Sequence, residues 1–417
     1  MARPNPLRTN RDFRLLWGGQ TISVLGSRAS ALAFPLLVLS LTDSPARAGV
    51  VAFAATLPFL VWQLPAGGLV DRWDRKRTMI WCDLGRGAAV LSVPIALWLE
   101  RLTFTQIVVV AFVEGSLFVL FNLAENAAIP KIVTGDDLPR ALAQNEAGTR
   151  GSALAGGPVA GLLFRFAPAL PFVFDAISFV VSVGTIAAIR SGFRTDAPTE
   201  RDRLHREVAE GFRWLWANPF IRATSLMFAG VNVIVNGLML AVVVVARDRG
   251  AAAPLIGVVY AFVGVGGLLG AGVAARAQRT LSPTAIVLGT TWLMAGLVAA
   301  MAVPAPALVL GPLIGALAFT VPTLSVLVST YELSLIPDRL LGRVESVILL
   351  LAWGSIPLGP LVAGLLLEWL DPTPALLTLA GLMAAVAAAS SFSPSLRDVP
   401  SLPTTSPAEP AAVPAGV

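Results

Sequence analysis

Two charged residues stand where charge is expensive. Arg28, in LGSRASALAFP, and Glu114, in AFVEGSLF, each lie about halfway through a long apolar stretch. Holding one charge at the centre of a bilayer costs at least ~2.5 kcal/mol. A chain keeps such groups for a polar path or for an internal ion pair. Pairing Arg28 with Glu114 would lower the cost of both, and a glutamate that takes and releases a proton within the pair would be a coupling switch. A static structural pair, or Arg28 alone meeting substrate, is the alternative. Asp175 lies a few residues into another apolar stretch, FDAISFVVSVGT, and reads either as a third buried acid or as a group answering a helix N-terminus.

The elements that hold these residues follow from composition. The chain has 417 residues, of which 56% are hydrophobic and 13% charged. A soluble domain carries about 25% charged residues. Mean hydropathy is +0.77. A membrane span needs about 20 apolar residues. Twelve candidates meet this: 15–40, 46–70, 78–99, 104–129, 142–166, 169–189, 220–246, 254–275, 282–302, 306–330, 344–367 and 373–391. The expected fold is an all-α membrane protein of twelve transmembrane helices. Net charge is +5, which in a soluble protein would suggest nucleic acid. Here the arginines cluster in alternate loops, as at Arg72, Arg75, Lys76 and Arg77, while the other loops hold only scattered ones. That bias places both termini in the cytoplasm and assigns the charge to topology rather than to a nucleic-acid partner.

The chain divides at its middle. Residues 190–219 form the longest polar stretch before the tail, and Leu204, Val208, Phe212 and Leu215 recur within it at helical spacing, beside Trp214 and Trp216. This predicts an amphipathic helix in a cytoplasmic linker between an N-terminal six-helix bundle, 1–189, and a C-terminal one, 220–392. Two pseudo-symmetric bundles are the arrangement in which halves rock about a central site. The Pro-, Ser- and Ala-rich segment 393–417 reads as a disordered cytoplasmic tail.

The loop after the second span, GGLVDRWDRKRTMI at 67–80, resembles the loop between helices two and three of the major facilitator superfamily through Gly68, Asp71, Arg72, Arg75 and Arg77. Further segments resemble the enterobactin-exporter and macrolide-efflux branch: NRDFRLLWGGQTISVLGS at 10–27, VEGSLFVLFNLAENAAIPKIV at 113–133, LPRALAQNEAGTRGSALAGGPVAGLLF at 138–164 and EGFRWLWANPFIR at 210–222. The resemblance implies that Gly68 permits close helix approach and that Asp71 and the arginines brace a cytoplasmic gate. Asp83 and Arg86, three apart on one helix face, are expected to join that gate from the inner end of the third span. The second-half counterpart, GVAARAQRTLSP at 272–283, lacks an aspartate, so the gate is expected to be held mostly by the first half.

The resemblance also makes the first, fourth and seventh spans cavity helices. It then implies proton coupling through Glu114 and Arg28, with Asp175 as a further candidate, and a substrate cavity near Asn122, Asn232, Asn236, Phe34 and Phe118. Asn232 and Asn236, one helical turn apart, either line that cavity or bond a neighbouring helix. Few charges among many apolar and aromatic residues suit a small lipophilic compound, a cationic one included, better than a sugar or amino acid. No GxxxxGK[ST] run occurs, so no ATP-hydrolysing site or enzymatic activity is expected. One histidine, His205, and one cysteine, Cys82, leave too few ligands for a structural zinc, and no cofactor or metal is expected. The expected partners are a small-molecule substrate, protons and membrane lipid, with the protein a monomer in a bacterial cell membrane. Secondary active export of a drug, macrolide or siderophore by proton antiport is the leading expectation. A facilitator or an uptake carrier is the alternative.

Overall fold

The computed structural model describes residues 10–62, 73–133, 135–190, 204–397 and 399. Within these the chain is helical throughout: α1 Arg11–Thr42, α2 Pro45–Trp62, α3 Arg75–Trp98, α4 Phe104–Ile132, α5 Leu138–Phe166, α6 Leu170–Ala187, α7 Leu204–Ala217, α8 Pro219–Asp248, α9 Ala253–Thr280, α10 Pro283–Met301, α11 Leu310–Leu335, α12 Leu341–Gly354, α13 Leu358–Trp369, α14 Pro372–Phe392 and the single turn α15 Pro394–Arg397. Lipid offers the backbone no hydrogen-bond partner, so apolar segments of this length satisfy themselves as helices. Local chemistry sets several ends. Asn10, Asp74, Thr103 and Ser282 each accept a backbone N–H from the third residue on, capping α1, α3, α4 and α10.

Eleven helical segments are long and apolar enough to cross a membrane among the described residues. One of them is Leu341–Trp369, the span expected at 344–367, which is interrupted by a turn at 355–357 into α12 and α13. The segment expected at 142–166 differs. It forms the 29-residue α5, but Arg140, Glu146, Arg150 and Arg165 make it too polar to count by composition. It nevertheless packs along α1 and α9, with Glu146 and Arg150 lining the cavity between the lobes.

The helices pair in two lobes. In the first, α1 packs on α5 and α6, α3 on α4 and α6, and α2 on α4. In the second, α8 packs on α13 and α14, α9 on α11, and α10 on α11 and α14. The lobes meet along α5 with α9 and along α2 with α13. Both seams depend on glycine. A Cβ on Gly157 would sit 2.8 Å from the Gly257 carbonyl oxygen, and one on Gly257 would sit 2.3 Å from that of Gly157. At the other seam, Gly49 and Gly364 stand in the same relation to the Pro360 and Pro45 carbonyls. Such backbone-to-backbone contact is how helices associate where lipid supplies no hydrophobic driving force.

The linker helix α7 spans the four apolar positions Leu204, Val208, Phe212 and Leu215 and packs on α12, with Arg343 donating to Glu210. Leu215 is buried, as an apolar face requires, whereas Phe212 is exposed and stacks on Trp216 at 5.3 Å. At the start of the expected tail, α15 docks on α10 and the Arg397 carbonyl accepts the Thr284 hydroxyl.

Candidate functional site

The buried charge of the first lobe is gathered around one guanidinium. Arg86 lies at the middle of α3, 3% exposed. Its Nη2 donates to Glu114 Oε1 on α4 at 2.7 Å, and Nε reaches the same oxygen at 3.1 Å. Its Nη1 lies 3.4 Å from Asp83 Oδ1, one turn back on α3. The cation is also sandwiched by rings, 4.3 Å from the Phe179 centroid and 5.2 Å from that of Phe118. Removed from water, a guanidinium needs this combination of carboxylates and ring faces.

Serines extend the cluster to the acids behind it. Arg86 Nη2 donates to Ser27 Oγ on α1 at 3.0 Å, and Ser27 donates to Asp175 Oδ1 on α6 at 3.3 Å. Asp175 is fully buried and also accepts Ser30 Oγ at 2.5 Å. On the other flank, Ser182 donates to Asp83 Oδ2 at 2.5 Å and itself accepts Gln20 Nε2 at 2.8 Å. Both short contacts are of the length expected between hydroxyl and carboxylate. Gly26 makes room for this: a Cβ there would come within 2.8 Å of Asp175 Oδ1.

The expected Arg28–Glu114 pair does not form. Glu114 is bonded to Arg86, which approaches from α3, while Arg28 is exposed on the cavity wall. Asp83 and Arg86 likewise lie mid-helix rather than at the inner end, because α3 begins at Arg75. Of the expected gate, Gly68, Asp71 and Arg72 lie outside the described residues. Arg75 and Arg77 occupy the first turn of α3, with Arg77 exposed. Two neighbours missed in the sequence organise that end. Asp74 caps α3, and Lys76 Nζ donates to the carbonyls of Ala187 at 2.9 Å and Ile189 at 2.6 Å, bracing α3 to the end of α6.

Beside the charge cluster, between the lobes, runs a cavity in two connected parts of about 390 and 600 Å³ that share Ser27, Arg28, Glu114 and Asn236. Each is of the size that takes a small organic molecule. Phe34 lines the first part, resting edge-on against Phe172 at 5.0 Å. Phe118 and Asn122 line the second, with Asn122 accepting Asn126 Nδ2 at 3.1 Å. Of the two roles open to Asn232, the structure shows the bond to a neighbouring helix: its Nδ2 donates to the Ala352 carbonyl at 2.9 Å, tying α8 to α12. The second part extends past Glu125 and Glu146, toward the junction of α4 and α5. At the opposite end of the helices the lobes are cross-bonded. Arg247 Nη2 donates to Asp43 at 2.6 Å, and Glu368 accepts Ser44 Oγ at 2.8 Å and the Ala46 N–H at 3.0 Å.

Sequence reading missed Ser27, Ser30, Gln20 and Ser182. A signal was present: Gln20, Ser23, Ser27 and Ser30 recur at steps of three and four along α1, as do Asp175, Ser178 and Ser182 along α6. A polar stripe at helical period within an apolar segment marks an interior polar seam.

Two helical lobes that meet at glycine seams around a cavity, with ion-paired charge at mid-depth, define a multi-span membrane transporter. The chain belongs to the family described as transmembrane secretion effector, whose model matches residues 3–410. It is thus a transporter of the major facilitator superfamily related to multidrug and macrolide efflux pumps, and that membership is consistent with a non-enzymatic role. The multidrug efflux pump Tap of Mycolicibacterium fortuitum is 28% identical over 391 residues, covering 90% of this chain and 93% of Tap. Macrolide efflux protein A of Streptococcus pyogenes is 28% identical over 220 residues, 52% of this chain and 54% of its own length. Among solved structures, the nucleoside transporter NupG superposes with a TM-score of 0.74 at 12% identity, covering 91% of this chain and 98% of its own. A bacterial homologue of the iron transporter ferroportin, in an inward-facing state, gives 0.72 at 16% identity, with 91% and 96% covered. These two likenesses show the fold.

Proposed function

We propose that this protein is a secondary active exporter of small amphiphilic compounds, driven by proton antiport and working by alternating access. The observation that carries the reading is the Asp83–Arg86–Glu114 cluster, which holds more carboxylate than guanidinium and borders the cavity through Glu114. The similarity to the efflux pumps supports the outward direction. Counting α5 with the eleven apolar segments gives twelve spans in two six-helix bundles, 1–189 and 220–392, joined by the linker 190–219. The termini and the tail 393–417 lie on the cytoplasmic side of a bacterial cell membrane, and the protein works as a monomer. The substrate is a drug, macrolide or siderophore-like compound.

In this mechanism a proton arriving at Glu114 loosens its hold on Arg86. The guanidinium then shifts its bonding toward Asp83 and, through Ser27, toward Asp175, the second acid of the coupling path. The four helices that carry these groups are tied together by them, so a change in the bonding changes how the first lobe packs. Gly68, Asp71, Arg72, Arg75 and Arg77 brace the cytoplasmic gate between transport steps. The cross-bonds of Arg247 and Glu368 close the far end while the cavity is reached past Glu125 and Glu146.

The test is purified protein in liposomes with an imposed proton gradient and a panel of lipophilic drugs and siderophores. Protein-dependent substrate movement against a counterflow of protons is the expected result. Substrate movement with no proton flow would replace antiport by facilitation.

A further inference from the structure

We infer that Arg28 is the substrate's anchor rather than part of the proton path, and that the substrate it selects is an amphiphile with an oxyanionic head, such as a carboxylate or phosphate. The inference rests on the reading of this cavity as the transport site and names what the site prefers.

The charge balance of the cavity carries it. Among the described residues, the charged groups of the smaller part are Arg28 on α1, Glu114 on α4 and Arg150 on α5. Glu114 is bonded to Arg86, and Arg150 Nε to Glu146 at 2.7 Å. No carboxylate of the described residues lies within 4.0 Å of Arg28. The second lobe adds no charge: α8 contributes Asn236, and α9 contributes Tyr260, whose hydroxyl is spent on the Met239 carbonyl. Among the described residues, Arg28 is therefore the one cation at this part of the cavity left without an anion.

Its setting suits an amphiphile. Gly156 lets α5 press on the base of the side chain, where an added Cβ would meet Arg28 Cβ at 2.4 Å, while the residue as a whole stays exposed to the cavity. Leu32, Phe34, Val51 and Val263 provide apolar walls alongside. A guanidinium beside such walls is poorly hydrated and presents a planar fork that matches carboxylate or phosphate oxygens in two parallel hydrogen bonds. An apolar body on the same molecule then covers the walls. A cationic amphiphile in this part of the cavity would bring like charge to Arg28, while Glu114 is already bonded to Arg86 and Glu146 to Arg150.

The experiment uses the full chain in nanodiscs of neutral lipid, with energy transfer from tryptophan to three probes of equal length: a dansyl-labelled undecanoate, its methyl ester and a dansyl-labelled undecylamine. Lipid-only discs supply the background. Wild type is expected to bind the carboxylate about tenfold more tightly than the amine. Arg28→Gln should abolish that preference while leaving the ester unchanged, and Arg28→Lys should restore most of it. Equal binding of carboxylate and amine, preference for the amine, no binding of the carboxylate, or an equal loss of all three probes in Arg28→Gln would overturn the inference. If Arg28→Gln does not fold, the wild-type order of the probes still decides. Binding is read without a proton gradient, so failure of antiport in liposomes and failure of this charge preference are separate results.

Discussion

The two lobes share a helical plan but handle polarity in opposite ways. The first holds Asp83, Arg86, Glu114 and Asp175 at mid-depth and links them through Ser27, Ser30 and Ser182 on four helices. In the second, every Arg, Asp and Glu of 219–392 lies in the first or last turns of its helix or in a loop. Its buried hydroxyls, such as Thr224, Thr291 and Thr320, turn back onto carbonyls of their own helices. The Asn232 bond to Ala352 is a neutral tie. A lobe held by charge can be repacked by adding or removing a proton, whereas one held by apolar contact and neutral bonds is indifferent to it. The difference supports a division of labour in which the first lobe senses the proton and the second supplies wall and seam.

The largest blow to the comparison would come through Arg86. Arg86→Gln leaves two carboxylates, Asp83 and Glu114, without their cation and should destabilise the protein by about 3–5 kcal/mol, read as thermal unfolding of the purified protein and as loss from the membrane. A change as small as that of a second-lobe amide would erase the distinction between the lobes. Next comes Glu114→Gln, which keeps the shape and removes the carboxylate. The accumulation ratio driven by a pH gradient should fall about tenfold, with substrate exchange in the absence of a gradient retained. Undiminished dependence on the gradient would remove Glu114 from the coupling path.

A smaller effect is expected in the second lobe. Asn232→Ala removes one interhelical bond and should cost about 1 kcal/mol, with the proton dependence of transport unchanged. Altered proton dependence would show that the second lobe shares the coupling. The smallest effect on stability belongs to Arg247→Ala. Its pair with Asp43 joins the lobes but is 41% and 81% exposed, so unfolding should shift by no more than about 1 kcal/mol. A larger loss would mean that the cross-bonds at that end, rather than the glycine seams, hold the lobes together.

Much of the architecture was legible in the chain. The spans, the linker helix and the Ala-, Gly- and Pro-rich α5 could be read because hydropathy and helical period are local properties, and because a segment in lipid must be helical to satisfy its backbone. The mid-depth positions of Arg28 and Glu114 marked the right neighbourhood for the same reason. What the chain could not state was the partner of Glu114. Arg28 and Arg86 are equally charged and equally long, and the choice between them depends on how α1, α3 and α4 are rotated about their axes and how close Gly26 and Gly156 allow their neighbours to come. Asn232 and Asn236, one turn apart on α8, part in the same way, one to the carbonyl of α12 and the other to the cavity wall. Sequence alone determined which segments are helices and that Arg28 and Glu114 carry charge into their middle, since both are set within a few turns of chain. Tertiary packing alone decided which charges meet and which one is left facing the cavity, since ion pairing in a medium without water is settled over a few ångströms between helices distant in sequence.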